Sequence, residues 1–146
     1  MGGVRRMTTE DISQVMQVER ATFPDPWPEE TFLEEIEYNP YAVYFLIEDK
    51  GKVIGYCGIW LVYEEAHITN LAIHPESRGK RYGQRLFAEV MARAKEAGIL
   101  QITLEVRVTN TTAQHMYRRF GFKPGAIKKS YYPDNGEDAL VMWVKL

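Results

Sequence analysis

The chain has 146 residues, with 18 Lys and Arg against 20 Asp and Glu, three His and a single Cys. That length suits one domain over 1–146, and a lone cysteine excludes an intrachain disulfide framework or a multi-cysteine zinc site, as fits a reducing cytoplasm. A formal net charge of −2 gives no general ground for nucleic-acid binding, and no apolar run approaches the roughly 20 residues of a membrane span.

Thr8-Thr9-Glu10-Asp11 reads as a helix start, with Thr8 and Asp11 spaced as in a capping box. Ile12, Val15, Met16 and Glu19 follow at helical spacing, three of them apolar. Prolines at 24, 26 and 28 then forbid regular structure, because each removes a donor and fixes φ. Pro28 suits the first turn of a second helix, whose stripe is Phe32, Leu33 and Ile36 and which Asn39-Pro40 stops. Aromatic and β-branched residues predict strands over 41–48, 53–63 and 66–73. A strongly amphipathic helix begins near Tyr82, with Leu86, Phe87, Val90, Met91 and Ala94 on one face and Gly98 placed to end it. Strict alternation predicts a strand over 101–108, and Ala113, Met116, Tyr117 and Phe120 mark a short helix after it. Strands over 123–132 and 138–145 close the chain around Pro133-Asp134-Asn135-Gly136. The order is ααβββαβαββ, an α/β class in which a mixed sheet carries helices on both faces and at least one parallel, right-handed crossover.

The segment most informative about chemistry runs from Asn70 to Leu86. A strand ends near Ile73, a loop rich in glycine and cations follows, and a helix begins at Tyr82. Backbone N–H groups at a helix N-terminus carry partial positive charge, so this is an anion site in waiting. Gly79 and Gly83 permit close approach, and Arg78, Lys80, Arg81 and Arg85 add charge; a diphosphate is the natural ligand. A solvated basic helix start is the competing reading. Neither a Walker pattern nor G-x-G-x-x-G is present, which weighs against ATPase and dinucleotide readings.

Leu71-Ala72-Ile73 followed by Arg78-Gly79-Lys80-Arg81-Tyr82-Gly83 resembles the acetyl-CoA motif of the GNAT N-acetyltransferases, Q/R-x-x-G-x-G/A. The element order is similar to the GNAT fold, which implies a mostly antiparallel central sheet. Phe23-Pro24 with Trp27, Leu104-Glu105-Val106-Arg107, Asn110, Tyr117 ahead of Phe120-Gly121-Phe122, and Tyr131-Tyr132-Pro133 with Glu137-Asp138-Ala139 resemble the RimI branch, the ribosomal-protein-alanine N-acetyltransferases. One departure stands out: Arg81 replaces the first glycine of the pair, and backbone donation there survives the change if φ stays negative.

The resemblance implies that Leu71, Ala72 and Ile73 meet the pantetheine arm, and that Gly79, Lys80, Arg81, Tyr82, Gly83 and Gln84 wrap the pyrophosphate. Asn110 would also reach the acetyl-CoA co-substrate, with no metal involved. Glu105 matches the family's general base and Tyr117 its general acid, for attack of a neutral amine on a thioester and expulsion of a thiolate. Phe23, Trp27, Tyr131, Tyr132 and Asp134 would line the acceptor side. The implied activity is direct acetyl transfer to the N-terminal amine, of alanine, on a ribosomal protein in the cytoplasm. A small-molecule amine acceptor and a non-catalytic acyl-CoA sensor are the competing readings.

On pattern alone, Glu105 also reads as a solvated partner of Arg107, and Tyr117 as a core residue of its helix. Tyr131 and Tyr132 would face opposite ways along a continuing strand. Cys57 reads as a small buried residue, and His67, His74 and His115 as incidental. Carboxylates at Glu64, Glu65, Asp134, Glu137 and Asp138 read either as solvated loop residues, the commoner case, or as a field that attracts a cationic amine.

Overall fold

The structure, a computed structural model, describes residues 3–146. A short strand β1 (Gly3–Arg6) precedes helices α1 (Ile12–Thr22) and α2 (Glu29–Glu37). Strands β2 (Ala42–Asp49), β3 (Lys52–Val62) and β4 (Glu65–Ile73) follow, then α3 (Tyr82–Glu96), β5 (Gln101–Arg107), α4 (Thr111–Arg119), β6 (Lys123–Lys128) and β7 (Ala139–Lys145). The predicted order is present, with β1 added in front of it. None of the described helices is long and apolar enough to cross a membrane.

Strand β1 escaped the sequence pattern because four residues, Gly-Val-Arg-Arg, carry no alternation to detect. Pairing makes it a strand: Val4 lies opposite Ile47 and Arg6 opposite Phe45, on the free edge of β2. Arg5 secures it through a two-pronged contact with Asp11 at 2.9 and 2.7 Å and a third with Glu48 at 2.7 Å. The Asp11 carboxylate also accepts the Thr8 backbone N–H at 2.8 Å, the capping contact expected from the spacing. One side chain thus starts α1, through a single turn of 3-10 helix, and fastens the edge strand.

The seven-stranded sheet has the order β1-β2-β3-β4-β5-β7-β6. Every neighbouring pair is antiparallel except β4 and β5, which run parallel. That parallel pairing covers Glu65↔Gln101, Ala66↔Ile102 and His67↔Thr103 and then stops. Just past its end β4 bulges: Ile68 pairs with Ile59 and Asn70 with Gly58, leaving Thr69 as the extra residue. A bulge bends its strand and increases its local twist, which turns β4 away from β5. Gly58 makes the bulge possible, because a Cβ there would stand 2.5 Å from both the Thr69 hydroxyl and the Tyr44 ring.

Helix α3 packs on β2–β4, burying Leu86, Phe87 and Val90 in one core with Phe45, Leu104 and Met142. Helices α1 and α2 cover the opposite face, where Val15, Met16 and Phe32 meet Tyr44, Leu46 and Tyr56. The sixth strand ends at Lys128, four residues short of the expected limit. Ser130 takes a positive φ of 51° and donates its N–H to Asp138 at 2.9 Å, which turns the chain out of the sheet.

Asp11 has a pKa lowered to about 2, chiefly by its hydrogen bonds with Arg5. A depressed folded-state pKa contributes stability above the ordinary carboxylate value that is lost as pH falls toward 2. Asp11→Ala should lower unfolding stability by about 1–2 kcal/mol at pH 7, the combined scale of a helix cap and a half-exposed ion pair. Denaturant titrations at pH 7 and pH 2.5 check this, with the difference between variant and parent shrinking at the lower pH.

Candidate active site

Beyond His67 and Thr103 the two parallel strands diverge around a cleft of about 330 Å³. Its walls are β4 from Ile68 to Leu71, β5 from Leu104 to Arg107, the α1–α2 loop at Phe23 and Trp27, and Asn110, Tyr117, Tyr132 and Asp134. Where the ladder between β4 and β5 stops, alternate backbone N–H and C=O groups on their facing edges lack a strand partner. An amide-bearing ligand can take those places at Leu71 and at the Ile73 N–H, whereas the backbone of Ala72, between them, faces β3.

At the end of β4, Arg78 donates through Nε to the Ile73 carbonyl at 3.2 Å, folding the loop back onto the strand. Gly79 has φ +79° and Arg81 φ +65°, so Arg81 occupies the left-handed region as the N-cap of α3. The condition of a negative φ at Arg81 is therefore not met. The loop keeps the backbone shape a glycine would adopt, and the arginine bears the strain, which for an L-residue is about 1–2 kcal/mol. The first helical bond of α3 runs from the Arg85 N–H to the Arg81 carbonyl at 3.1 Å. The amides of Tyr82, Gly83 and Gln84 precede it, so they have no acceptor within the helix. Gly79, Lys80 and Arg81 lead into this helix start, where backbone amides and nearby cations suit a diphosphate. A ligand joining an amide-rich arm to a diphosphate fits this donor set.

Glu105 projects from β5 into a tight polar contact. Its Oε1 lies 2.8 Å from His67 Nε2 and accepts from the Tyr131 hydroxyl at 3.4 Å, while Oε2 accepts from Lys128 Nζ at 3.3 Å. Burial pushes the carboxyl pKa up, but the contacts with His67 and Lys128 outweigh it and hold the group below its ordinary value. Glu105 is therefore ionised at neutral pH. His67, which the sequence left as incidental, is placed here by the parallel register that sets it beside Thr103. Arg107 does not pair with Glu105; it binds Asp134 at 2.9 Å and Glu137 at 3.1 Å.

Tyr117 is a core residue of its helix that also borders the cleft. Its ring packs 5.2 Å from Phe87 and 6.0 Å from Phe122. Burial raises the phenol pKa, so the group stays protonated. Asn110 caps α4 by accepting the Ala113 N–H at 3.2 Å and stands on the cleft wall. Cys57 is fully buried, and burial raises its thiol pKa.

On the opposite side of the cleft, Tyr131 and Tyr132 are in a loop and do not face opposite ways along a strand. Their rings meet edge to face at 5.0 Å; Tyr131 reaches Glu105, while Tyr132 lines the cleft beneath the Arg107 guanidinium at 4.0 Å. Asp134 and Glu137 pair with Arg107, and Asp138 with Lys129 at 3.3 Å. Glu65 lines a separate, smaller pocket. The expected field of free carboxylates is thus largely spent on internal cations.

One residue of this site was missed altogether. Glu19, on α1, is only 2% exposed yet lines the cleft. Its Oε2 accepts the Trp27 backbone N–H at 2.9 Å, and its Oε1 accepts the Tyr56 hydroxyl, which in turn accepts from Asn70 Nδ2 at 2.8 Å. The signal was a carboxylate on the apolar stripe of Ile12, Val15 and Met16.

The sheet thus opens between two parallel strands, and a carboxylate on β5 and a tyrosine on α4 line the resulting cleft. The profile of the Acetyltransferase (GNAT) family matches residues 12–122, and the chain belongs to that family of acetyl-CoA-using acyltransferases. It is 49% identical over 143 residues to a Bacillus subtilis (strain 168) protein provisionally named a ribosomal protein bS18-alanine N-acetyltransferase, covering 98% of this chain and 95% of that one. Identity to the Escherichia coli (strain K12) ribosomal protein bS18-alanine N-acetyltransferase is 27% over 144 residues, covering 97% and 96%. The crystal structure of the ribosomal-protein-S18-alanine N-acetyltransferase from Escherichia coli superposes with a TM-score of 0.92 at 26% identity, covering 99% of this chain and 94% of that one.

Because the loop retains a glycine-like shape at Arg81, Arg81→Gly should stabilise the protein by up to about 1 kcal/mol, the αL penalty less the entropy glycine adds to the unfolded chain. Equilibrium denaturation of both proteins checks this.

Proposed function

We propose that this protein is an acetyl-CoA-dependent N-α-acetyltransferase acting on the N-terminal alanine of ribosomal protein bS18. The observation that carries the reading is that Glu105, on β5, and Tyr117, on α4, line one cleft together with Phe23, Trp27 and Tyr132. Relatives matching nearly the whole chain bear the bS18-alanine name and support the acceptor.

Acetyl-CoA, when bound, supplies an activated thioester acyl group. Leu71 and Ile73 offer their backbone to its arm, with Ala72 between them, residues 79–84 hold its diphosphate, and Asn110 borders it. Glu105, ionised and in contact with His67, takes the proton leaving the acceptor nitrogen. Tyr117, kept protonated by burial, gives its proton to the departing sulfur. Phe23, Trp27, Tyr131, Tyr132 and Asp134 form the acceptor side. An α-amine of pKa near 7.7–8.0 is roughly a tenth neutral at pH 7, whereas a lysine amine near 10.4 is neutral below about 0.1%. A site whose base is a low-pKa carboxylate favours the amine that is already partly neutral.

The direct experiment incubates the protein with acetyl-CoA and peptides differing in their first residue, and reads acetylation by mass spectrometry. The alanine peptide should gain one acetyl group on its α-amine; intact cofactor binding with no α-amine modified would overturn the reading. Glu105→Gln and Tyr117→Phe should each lower kcat by about a hundredfold or more, the scale of lost acid–base catalysis. Acetyl-CoA affinity should change by no more than about twofold, measured by calorimetry.

The pH dependence tests the base separately. Glu105 must be deprotonated to act, and its contact with His67 lowers its pKa against the opposing effect of burial. His67→Ala leaves the burial in place and removes that contact, so the carboxyl pKa rises. The acidic limb of the kcat profile should then move to higher pH, with the plateau reached later than in the parent protein.

A further inference from the structure

Glu19 is a carboxylate of the cleft that the transfer chemistry leaves unused. It is almost fully buried, and its partners are a backbone amide and a phenol, both neutral. Burial raises its pKa, opposed by these two donors; no Lys, Arg or His acts on it among the described residues. The neighbouring carboxylates differ. Asp134 is paired with Arg107, Glu105 touches Lys128 and His67, and Asp25 is exposed to water.

A buried carboxylate is costly unless hydrogen-bonded and paired, and two neutral donors offset only part of that cost. The acceptor brings the missing charge. At pH 7 an α-amine with a pKa of 7.7–8.0 is about nine-tenths ammonium, so it enters the cleft as a cation. A carboxylate has about four lone-pair sites, and the Trp27 and Tyr56 bonds occupy two. The remaining sites can accept N–H bonds from an ammonium.

We propose that Glu19 is the binding residue for the acceptor's α-ammonium, a role that rests on the N-terminal acceptor reading above. The donor chain from Asn70 through Tyr56 orients the carboxylate. Through Trp27 the same carboxylate fixes the α1–α2 loop, so the group that recognises the amine also sets the acceptor wall against β4. Recognition ends with the reaction: acetylation converts the ammonium into a neutral amide, which removes the charge that Glu19 holds and favours product release.

The test compares two ligands on the coenzyme A complex by calorimetry: a peptide beginning with alanine, and the same peptide with a propionyl group in place of that alanine, which lacks only the α-amino group. The parent protein should bind the amine peptide at least tenfold more tightly, the scale of a hydrogen bond between charged groups. In Glu19→Gln that ratio should fall below about threefold, with coenzyme A affinity unchanged. If Glu19 only braced the loop, both peptides would weaken together and the ratio would persist, which would overturn the inference. Tyr56→Phe removes a neutral donor and keeps the charge, so its ratio should stay at or above the parental one; collapse toward one would also overturn it. This second variant carries the test if Glu19→Gln does not fold. Parental turnover of the amine peptide with an unchanged ratio in Glu19→Gln defeats this inference alone. Absence of parental binding and turnover defeats the N-terminal acceptor reading and this inference together.

Discussion

The separation of β4 from β5 is the constraint on which the rest of this molecule depends. A parallel pair that continued to the ends of both strands would bury its backbone edges in a ladder and leave no cleft. Here the pairing ends at His67↔Thr103, and the Thr69 bulge, tolerated only because residue 58 is glycine, turns β4 away. Backbone groups that a ladder would have consumed are available to a ligand, and Glu105 and Arg107 line the opening. The two cores on either face hold this open geometry in place. The opening of the cleft is thus a property of sheet register, and the α1–α2 and β6–β7 loops complete its walls.

Charge is arranged within this cleft more finely than a net value of −2 suggests. Arg107 collects Asp134 and Glu137 and stacks on Tyr132, which orders the loop between β6 and β7 as one wall. Lys128 and His67 converge on Glu105 and keep it ionised. Glu19 differs from both, being held by neutral donors in a buried position. Three carboxylate environments around one cleft allow three tasks, namely bracing a loop, handling a proton and meeting a cation.

The loop between β4 and α3 shows how a backbone shape can outlast the residue that favours it. Arg81 adopts a left-handed conformation where the family pattern has glycine. The geometry of the loop is imposed by its fixed ends, the Ile73 carbonyl held by Arg78 and the first turn of α3. The local strain is small compared with the packing that anchors α3, so the fold tolerates it.

Periodicity in the chain determined the element order, the α3 stripe and the strands from 41 onward, because side-chain patterns of 3.6 and 2 residues are local properties. The glycine- and cation-rich loop before α3, the strand that carries Glu105 and the helix that carries Tyr117 were likewise legible from residue types and spacing. Strand β1 was not, because its four residues become a strand only against the edge of β2. Nor were His67 beside Glu105, the loop that carries Tyr131 and Tyr132, or the capture of Asp134 and Glu137 by Arg107. Those contacts join residues far apart in the chain: 38 positions separate His67 from Glu105, and 27 and 30 separate Arg107 from Asp134 and Glu137. Glu19 is the sharpest case: its helical position was readable, but the indole-loop amide and the Tyr56 phenol that hold it are supplied by packing between α1 and β3. Local sequence could decide what each segment becomes, whereas only the closing of the sheet and its two cores could decide which distant groups share the cleft.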